Sequence, residues 1–178
     1  MTIRPYRAGD EARLVALFAR VFGRPIDEAH WGWKLAGRPS LSPFPTVFVG
    51  VAADPDGGER AVHQFGGIPI RCAGPRGHVT AIVAVDAMTD PEYRRQGLLT
   101  AASEQAWRCW RDAGIAFVLG LPNEQWGSRA YALGWRELSA LSWRVRPLRL
   151  DRIVRRRAGR VQRDEGPRRG WPARRLHP

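Results

Sequence analysis

Lysine is almost absent from this sequence. Lys34 is the single lysine among 29 basic residues in a chain of 178. All the others are arginine, which a GC-rich coding bias explains as well as a selected phosphate-binding surface does. Of the net charge of +12, +7 falls between Asp151 and Pro178, which leaves +5 for the first 150 residues. The body of the protein is therefore only mildly basic, and its charge alone does not point to nucleic acid.

Cysteine is scarce and long apolar runs are missing. Cys72 and Cys109 are the two cysteines, and neither has the CxxC or Cys/His spacing of a zinc site. No run approaches the roughly 20 apolar residues of a membrane span. The first residues, MTIRPYRAGDE, carry charge without an apolar run behind them. We therefore expect no metal, no membrane partner and a reducing, cytoplasmic location.

The amino-acid composition is typical of one globular domain followed by a tail. Hydrophobic residues make up 44% of the chain and charged residues 26%, both ordinary values for a folded protein. We expect a domain over residues 1–149. The Arg-rich tail, residues 150–178, has only scattered apolar side chains, so we expect it to be disordered or marginally helical.

Apolar periodicity and turn residues predict ten elements in the order β-α-α-β-β-β-α-β-α-β. The fold class is α/β (mixed α+β), with one mixed sheet and helices on both of its faces. The predicted elements are a strand at Thr2–Tyr6, a helix capped by Asp10 and ended by Gly23, a helix from Asp27, strands at Thr46–Ala53, Ala61–Cys72 and His78–Met88, a helix at Leu98–Ala113, a strand at Ile115–Leu121, a short helix before Gly134, and a strand at Trp135–Val145.

The segment Val85–Leu99 carries the clearest chemical signal. An apolar strand ends there, a proline-containing turn presents Arg94 and Arg95, and Gly97 opens a helix. The first turn of a helix has unpaired N–H groups and the positive end of the helix dipole, so this junction is suited to a phosphate or pyrophosphate. The alternative is a plain strand–loop–helix connection with solvated arginines.

The same segment resembles the acyl-CoA loop of the GNAT acyltransferases, which follows the pattern Val-x-Pro-x-x-Arg-x-x-Gly-x-Gly/Ala. Thr89–Leu99 matches the proline, the arginine and the first glycine, whereas Thr89 replaces valine and Leu99 replaces the second small residue. The resemblance covers residues 1 to about 147. Its further segments are Arg4–Glu11, the Trp-x-Trp-Lys run within His30–Leu35, Gly120–Asn123, and Leu133-Gly134-Trp135.

The resemblance implies a cosubstrate, acetyl-CoA, and assigns residues to it. The pyrophosphate would lie on the loop and the first turn of the helix, and the pantetheine arm would pair with the edge of the preceding strand. The residues implied are Ala87, Met88 and Thr89 for pantetheine, and Arg94, Arg95, Gln96, Gly97, Leu98, Leu99 and Thr100 for the pyrophosphate.

Catalysis would need a base for the acceptor amine. Asp86 is our candidate because it interrupts an apolar strand three residues before Thr89; alternatively it is a carboxylate paired with an arginine. Asn123, at the end of its strand, is the second catalytic candidate and could also bind pantetheine; alternatively it caps the next turn. The family's usual acid is a tyrosine where this chain has Ala130. Tyr131 is one residue away, about 100° around a helix, so we do not assign it that role.

Three functions remain open from the sequence. The first is an N-acyltransferase that moves an acetyl or short acyl group to a small-molecule or peptide amine by direct attack. The second is a catalytically degenerate CoA-binding protein. The third is a basic module bound to nucleic acid or the ribosome through nonspecific contacts of the tail.

Overall fold

The computed structural model describes residues 1–36, 42–54, 57–75, 77–121 and 129–138. Its elements alternate as the sequence analysis predicts over this part of the chain. They are β1 (Thr2–Pro5), α1 (Glu11–Phe22), α2 (Glu28–Trp31) with a following π-helical turn (Gly32–Ala36), β2 (Val47–Ala53), β3 (Glu59–Gly74), β4 (Gly77–Thr89), a 3₁₀ turn (Pro91–Tyr93), α3 (Leu98–Asp112), β5 (Val118–Gly120) and α4 (Arg129–Ala132).

The five strands form one mixed sheet in the order β1-β2-β3-β4-β5. The first four strands pair antiparallel as a meander, and β5 pairs parallel to β4. β2, β3 and β4 follow one another through short connections, and β1 joins β2 through the segment that carries α1 and α2. The parallel pair of β4 and β5 needs a crossover, which α3 supplies. The predicted α/β (mixed α+β) fold class is confirmed.

Two apolar layers cover the two faces of the sheet. On one face, Leu14 and Leu17 of α1 and Trp31 of α2 pack against Val49 of β2 and its neighbours. On the other face, Trp110 of α3 packs against Phe48, Phe65 and Ile82. The helices are amphipathic and the strands alternate, so each face buries its own helical partner. We call these the α1 face and the α3 face.

The start of α1 differs from the prediction. Asp10 precedes the helix, but its side chain makes no cap hydrogen bond. Its carboxylate binds the guanidinium of Arg4 through two bonds of 2.7 and 2.8 Å instead. The bidentate hydrogen bond from Arg4 holds the pKa of Asp10 below its ordinary value. Asp10 therefore fastens β1 to α1, which a helix-cap assignment does not capture.

The C-terminal elements are shorter than predicted. β5 covers Val118–Gly120, within the predicted Ile115–Leu121. Residues 135–138 form no strand, and the rest of the predicted Trp135–Val145 strand lies outside the described residues. The predicted Arg-rich tail also lies outside them. Among the helices of the described part, none has the length and apolar content that a membrane crossing requires.

Candidate functional site

β4 contains an irregularity that begins three residues before its end. Gln64 pairs with Met88 and Gly66 pairs with Val85, so Asp86 and Ala87 together lie opposite the single residue between the β3 partners. This is a β-bulge, and the backbone of Asp86 adopts a positive φ of 48°. A non-glycine residue in this region is uncommon, so surrounding contacts must hold it there.

Contacts from two elements hold the bulge. The Nζ of Lys34 lies 2.6 Å from Oδ2 of Asp86, an ion pair whose side chains are 32% and 18% exposed. The Gln64 side-chain amide donates to the backbone carbonyl of Asp86 at 3.2 Å. Its own oxygen accepts from the indole N–H of the buried Trp31 at 2.9 Å. The bulge thus presents a half-buried carboxylate on the α1 face, beside an ammonium group.

The pairing of β4 with β5 ends before the bulge. Ala84 and Gly120 form the last registered pair, and β4 continues through Thr89. Within the described residues, the last part of β4 therefore has no β5 partner on that edge. A free strand edge has unpaired N–H and C=O groups that can pair with an extended ligand.

Asp90 anchors the loop that follows β4. Its carboxylate is almost fully buried and binds Arg20 of α1 at 2.9 Å and Arg60 of β3 at 2.8 Å. It also accepts from the backbone N–H of Glu92. Burial by itself would raise the pKa of Asp90, but the hydrogen bonds from Arg60, Glu92 and Arg20 outweigh it and hold the pKa below its ordinary value. The loop is thereby fastened to both α1 and β3.

The loop then turns into α3 through two left-handed residues. Arg95 has a φ of 64° and Gly97 a φ of 76°. Gly97 stands at the cap position of α3 and has no side chain to satisfy the first-turn amides. Successive N–H groups in such a turn, at the positive end of a 15-residue helix, form a concave anion site. The residues present thus fit a pyrophosphate.

The side chains of the loop are exposed around this turn. Arg94 donates through Nε to the carbonyl of Thr89 at 3.3 Å, and Gln96 donates to the carbonyl of Glu92 at 3.4 Å. Arg95 is exposed as well. Both arginine side chains are thus exposed to solvent, and Arg94 also bonds to the end of β4.

A buried imidazole supports Thr89 from the α3 face. Nδ1 of His63 lies 2.8 Å from Oγ1 of Thr89, and the ring is fully buried. Burial lowers the pKa of His63 to about 4. Its Nε2 is among the buried polar atoms without a hydrogen-bond partner in the described part of the chain. His63 also lies close to Gly50, where an added Cβ would be 2.8 Å from the Cβ of His63.

The remaining predicted site residues are distributed as follows. Met88 is buried in the α1-face core, and Ala87 packs on the α3 face. At the start of α3, Leu98 is buried, Leu99 is half-buried and Thr100 is exposed. Asn123 lies outside the described residues.

Three contributors were missed from the sequence. Lys34 entered the sequence analysis only as the single lysine and as part of a Trp-x-Trp-Lys run, and neither His63 nor Asp90 was assigned a role there. Asp90 precedes a proline that begins a helical turn, which is a recognisable capping pattern. For Lys34 and His63 no local signal exists, because their partners are 52 and 26 residues away.

Comparison with known protein families identifies the family to which the chain belongs. Residues 2–137 match the family described as acetyltransferase (GNAT) domain. The match covers most of the chain, and the protein belongs to the GNAT acetyltransferase family. Comparison with curated proteins found no match.

Solved structures agree at the level of the fold. An acetyltransferase from Trypanosoma brucei is 18% identical, with a TM-score of 0.62 over 82% of this chain and 99% of that one. Glucosamine-6-phosphate N-acetyltransferase from Arabidopsis thaliana is 13% identical, with a TM-score of 0.63 over 81% and 97%. AAC(6')-Iy in complex with a bisubstrate CoA analogue is 16% identical, with a TM-score of 0.57 over 82% and 98%.

Proposed function

We propose that this protein is an N-acetyltransferase that moves an acetyl or short acyl group from acetyl-CoA to a small-molecule or peptide amine. One observation carries the proposal: a strand edge without a β5 partner leads directly into a left-handed turn and an uncapped helix start. This continuous backbone path suits a ligand with an extended amide-containing arm and a pyrophosphate. The GNAT family match over residues 2–137 supports the same assignment.

The chain's own residues have separate roles in this proposal. The edge of Ala87, Met88 and Thr89 pairs with the pantetheine arm. The amides from Arg95 to Thr100 bind the pyrophosphate, and Arg94 adds a charge-assisted hydrogen bond. Asn123 remains a proposed contact for the same arm.

Acetyl-CoA supplies the thioester whose acyl group is transferred. Asp86 accepts a proton from the acceptor amine, which attacks directly and forms no covalent enzyme intermediate. The carboxylate is suited to this because it is half-buried, lies in the bulge and already binds an ammonium group, that of Lys34. An acceptor amine is expected to bind Asp86 in the same way, which favours cationic amines as substrates.

The proposed compartment is the cytoplasm. Cys72 and Cys109 are both free thiols in the structure. Unpaired cysteines are common where glutathione and thioredoxin keep thiols reduced.

Calorimetric titration with acetyl-CoA tests the binding half of the proposal. Gly97→Asp places a carboxylate at the anion site and strains a left-handed position, so we expect loss of measurable binding. Gly114→Asp is the matched control, because Gly114 also has a positive φ and open space for a Cβ but lies at the other end of α3. Equal affinity of a folded Gly97→Asp protein and the wild type would contradict the site.

A panel of amines tests the chemical half. With release of CoA as the readout, Asp86→Asn is expected to preserve acetyl-CoA affinity, to lower kcat and to change the rate–pH profile. Acetyl-CoA binding without turnover on any amine would favour the catalytically degenerate alternative. Absence of acetyl-CoA binding, together with salt-sensitive RNA binding, would favour the nucleic-acid alternative.

A further inference from the structure

The ammonium group that occupies Asp86 comes from the protein itself. Lys34 lies in the π-helical turn after α2, and its Nζ lies 2.6 Å from Oδ2 of Asp86. It is the only lysine of the sequence. In the proposed function the acceptor amine binds Asp86, and the amine of Lys34 already occupies that position.

The backbone that carries Lys34 is fixed against the sheet. Trp31, the last residue of α2, is buried and donates to the side chain of Gln64, which also binds the carbonyl of Asp86. Leu35, the next residue after Lys34, is buried against β3, and an added Cβ on Gly66 would lie 3.3 Å from its Cδ2. Trp31, three residues before the lysine, and Leu35, directly after it, thus contact the strands that form the bulge, so the backbone that carries the amine is held on the α1 face.

We propose that Lys34 is an intramolecular acyl acceptor, so that the enzyme acylates its own single lysine. The proposal rests on the proposed function, because it uses the same acyl donor and the same carboxylate. It adds a covalent modification site in the acceptor region.

The step balances without a further reactant. Asp86 takes one proton from the Lys34 ammonium, and the neutral Nζ attacks the thioester carbonyl carbon. The C–N bond forms, the C–S bond breaks, and the electron pair of that bond leaves on the CoA sulfur. The second proton lost by nitrogen goes to the thiolate or to water. The products are an Nζ-acyl lysine and free CoA.

The modification would change the acceptor region. An Nζ-acyl lysine is neutral, so it no longer forms an ion pair with Asp86. The carboxylate then becomes available to another amine, while the acyl group adds apolar bulk beside it. Self-acylation would therefore switch the site from an occupied to an open carboxylate.

The single lysine makes the test direct. Full-length protein is incubated with acetyl-CoA, and its intact mass and peptide map are measured over time. The α-amino group is an internal reference for uncatalysed acylation, because Met1 is 60% exposed. We expect Lys34 to gain one acetyl group at least about tenfold faster than the α-amino group, since it is held beside its base.

Three variants complete the experiment. Lys34→Arg keeps a cation at Asp86 but is not acylated, so it should bind acetyl-CoA and gain no acetyl group at position 34. Asp86→Asn and Gly97→Asp should each abolish rapid acylation of Lys34, the first by removal of the base and the second by loss of the donor. Circular dichroism spectra check that each variant is folded.

The outcomes separate the two proposals. If the wild type binds acetyl-CoA but Lys34 stays unmodified, or if Lys34 reacts equally fast in folded Gly97→Asp protein, self-acylation is overturned and the proposed function stands. If the wild type does not bind acetyl-CoA, both are overturned.

Discussion

His63 is expected to make the folded protein sensitive to mild acid. Burial lowers its pKa from 6.5 to about 4 in the folded state. An unfolded chain therefore binds a proton that the folded protein does not bind. Well above pH 6.5 neither state is protonated at His63, and the free energy of unfolding is at its full value. It falls as the pH decreases below 6.5 and levels off near pH 4, where the folded protein binds the proton too.

The size of the effect follows from the two pKa values. A pKa shift from 6.5 to about 4 lowers the free energy of unfolding by about 3 kcal/mol in total. About 2 kcal/mol of this decrease falls between pH 7.5 and pH 5. The carboxylates with lowered pKa, such as Asp10 and Asp90, act below this window, because their unfolded counterparts are still ionised at pH 5. Between pH 7.5 and pH 5 the change in the free energy of unfolding therefore reports on His63 and not on these carboxylates.

The assay is urea unfolding followed by circular dichroism at several pH values from 7.5 to 5. His63→Asn removes the titrating ring and retains a polar atom near the position of Nδ1, so it can still bond Thr89. We expect this variant to be less stable than the wild type at pH 7.5, because it leaves a cavity, but to lose much less stability toward pH 5. His78→Asn is the matched control, since His78 is exposed on β4.

A wild-type unfolding free energy that stays constant from pH 7.5 to pH 5 would refute this reasoning. So would an equal pH dependence in the wild type and in His63→Asn. Either result would mean that the imidazole is accessible to protons in the folded protein.

Three further changes probe the loop, the core and the tail. Asp90→Asn leaves two arginines without their buried partner, so we expect a loss of about 2–3 kcal/mol in urea unfolding and weaker acetyl-CoA binding; unchanged binding would show that the loop does not need this anchor. Gly67→Ala puts a Cβ 2.5 Å from Ile82 and 3.0 Å from Trp110, so it should destabilise the protein by about 1–3 kcal/mol; an unchanged melting temperature would mean that α3 shifts freely. Truncation after Arg149 should preserve the melting curve and acetyl-CoA affinity and reduce heparin retention at low salt; unfolding would place the tail in the core.

Elements with strong local signals could be predicted from the sequence. The apolar spacing of α1 and its end at Gly23 are confirmed, because the helix buries one stripe and glycine adopts the left-handed conformation there. The predicted strands at Thr46–Ala53 and Ala61–Cys72 are found as β2 and β3, since both runs are rich in β-branched and apolar residues.

The features that the sequence did not predict depend on contacts between elements. Asp10 has the sequence context of a helix cap, but the guanidinium of Arg4 competes for its carboxylate and wins with two charge-assisted bonds. The bulge at Asp86 could not be predicted, because the sequence shows only an apolar strand interrupted by one carboxylate. The acidic group could be named from the sequence, whereas its partner Lys34 could not.

The bulge also sets the phase of side chains along β4. Ile82 and Ala84 point to the α3 face and Val85 to the α1 face, yet beyond the bulge Ala87 points to the α3 face and Met88 to the α1 face. Odd and even positions thus exchange faces within one strand. Without the bulge, the same residues in regular alternation would place Met88 on the α3 face, whereas deletion of Asp86 would remove the extra residue and leave Met88 on the α1 face. One extra residue therefore determines which helix the last part of β4 packs against, and the fold should tolerate a single-residue deletion better at the bulge than in the regular part of β4 before it.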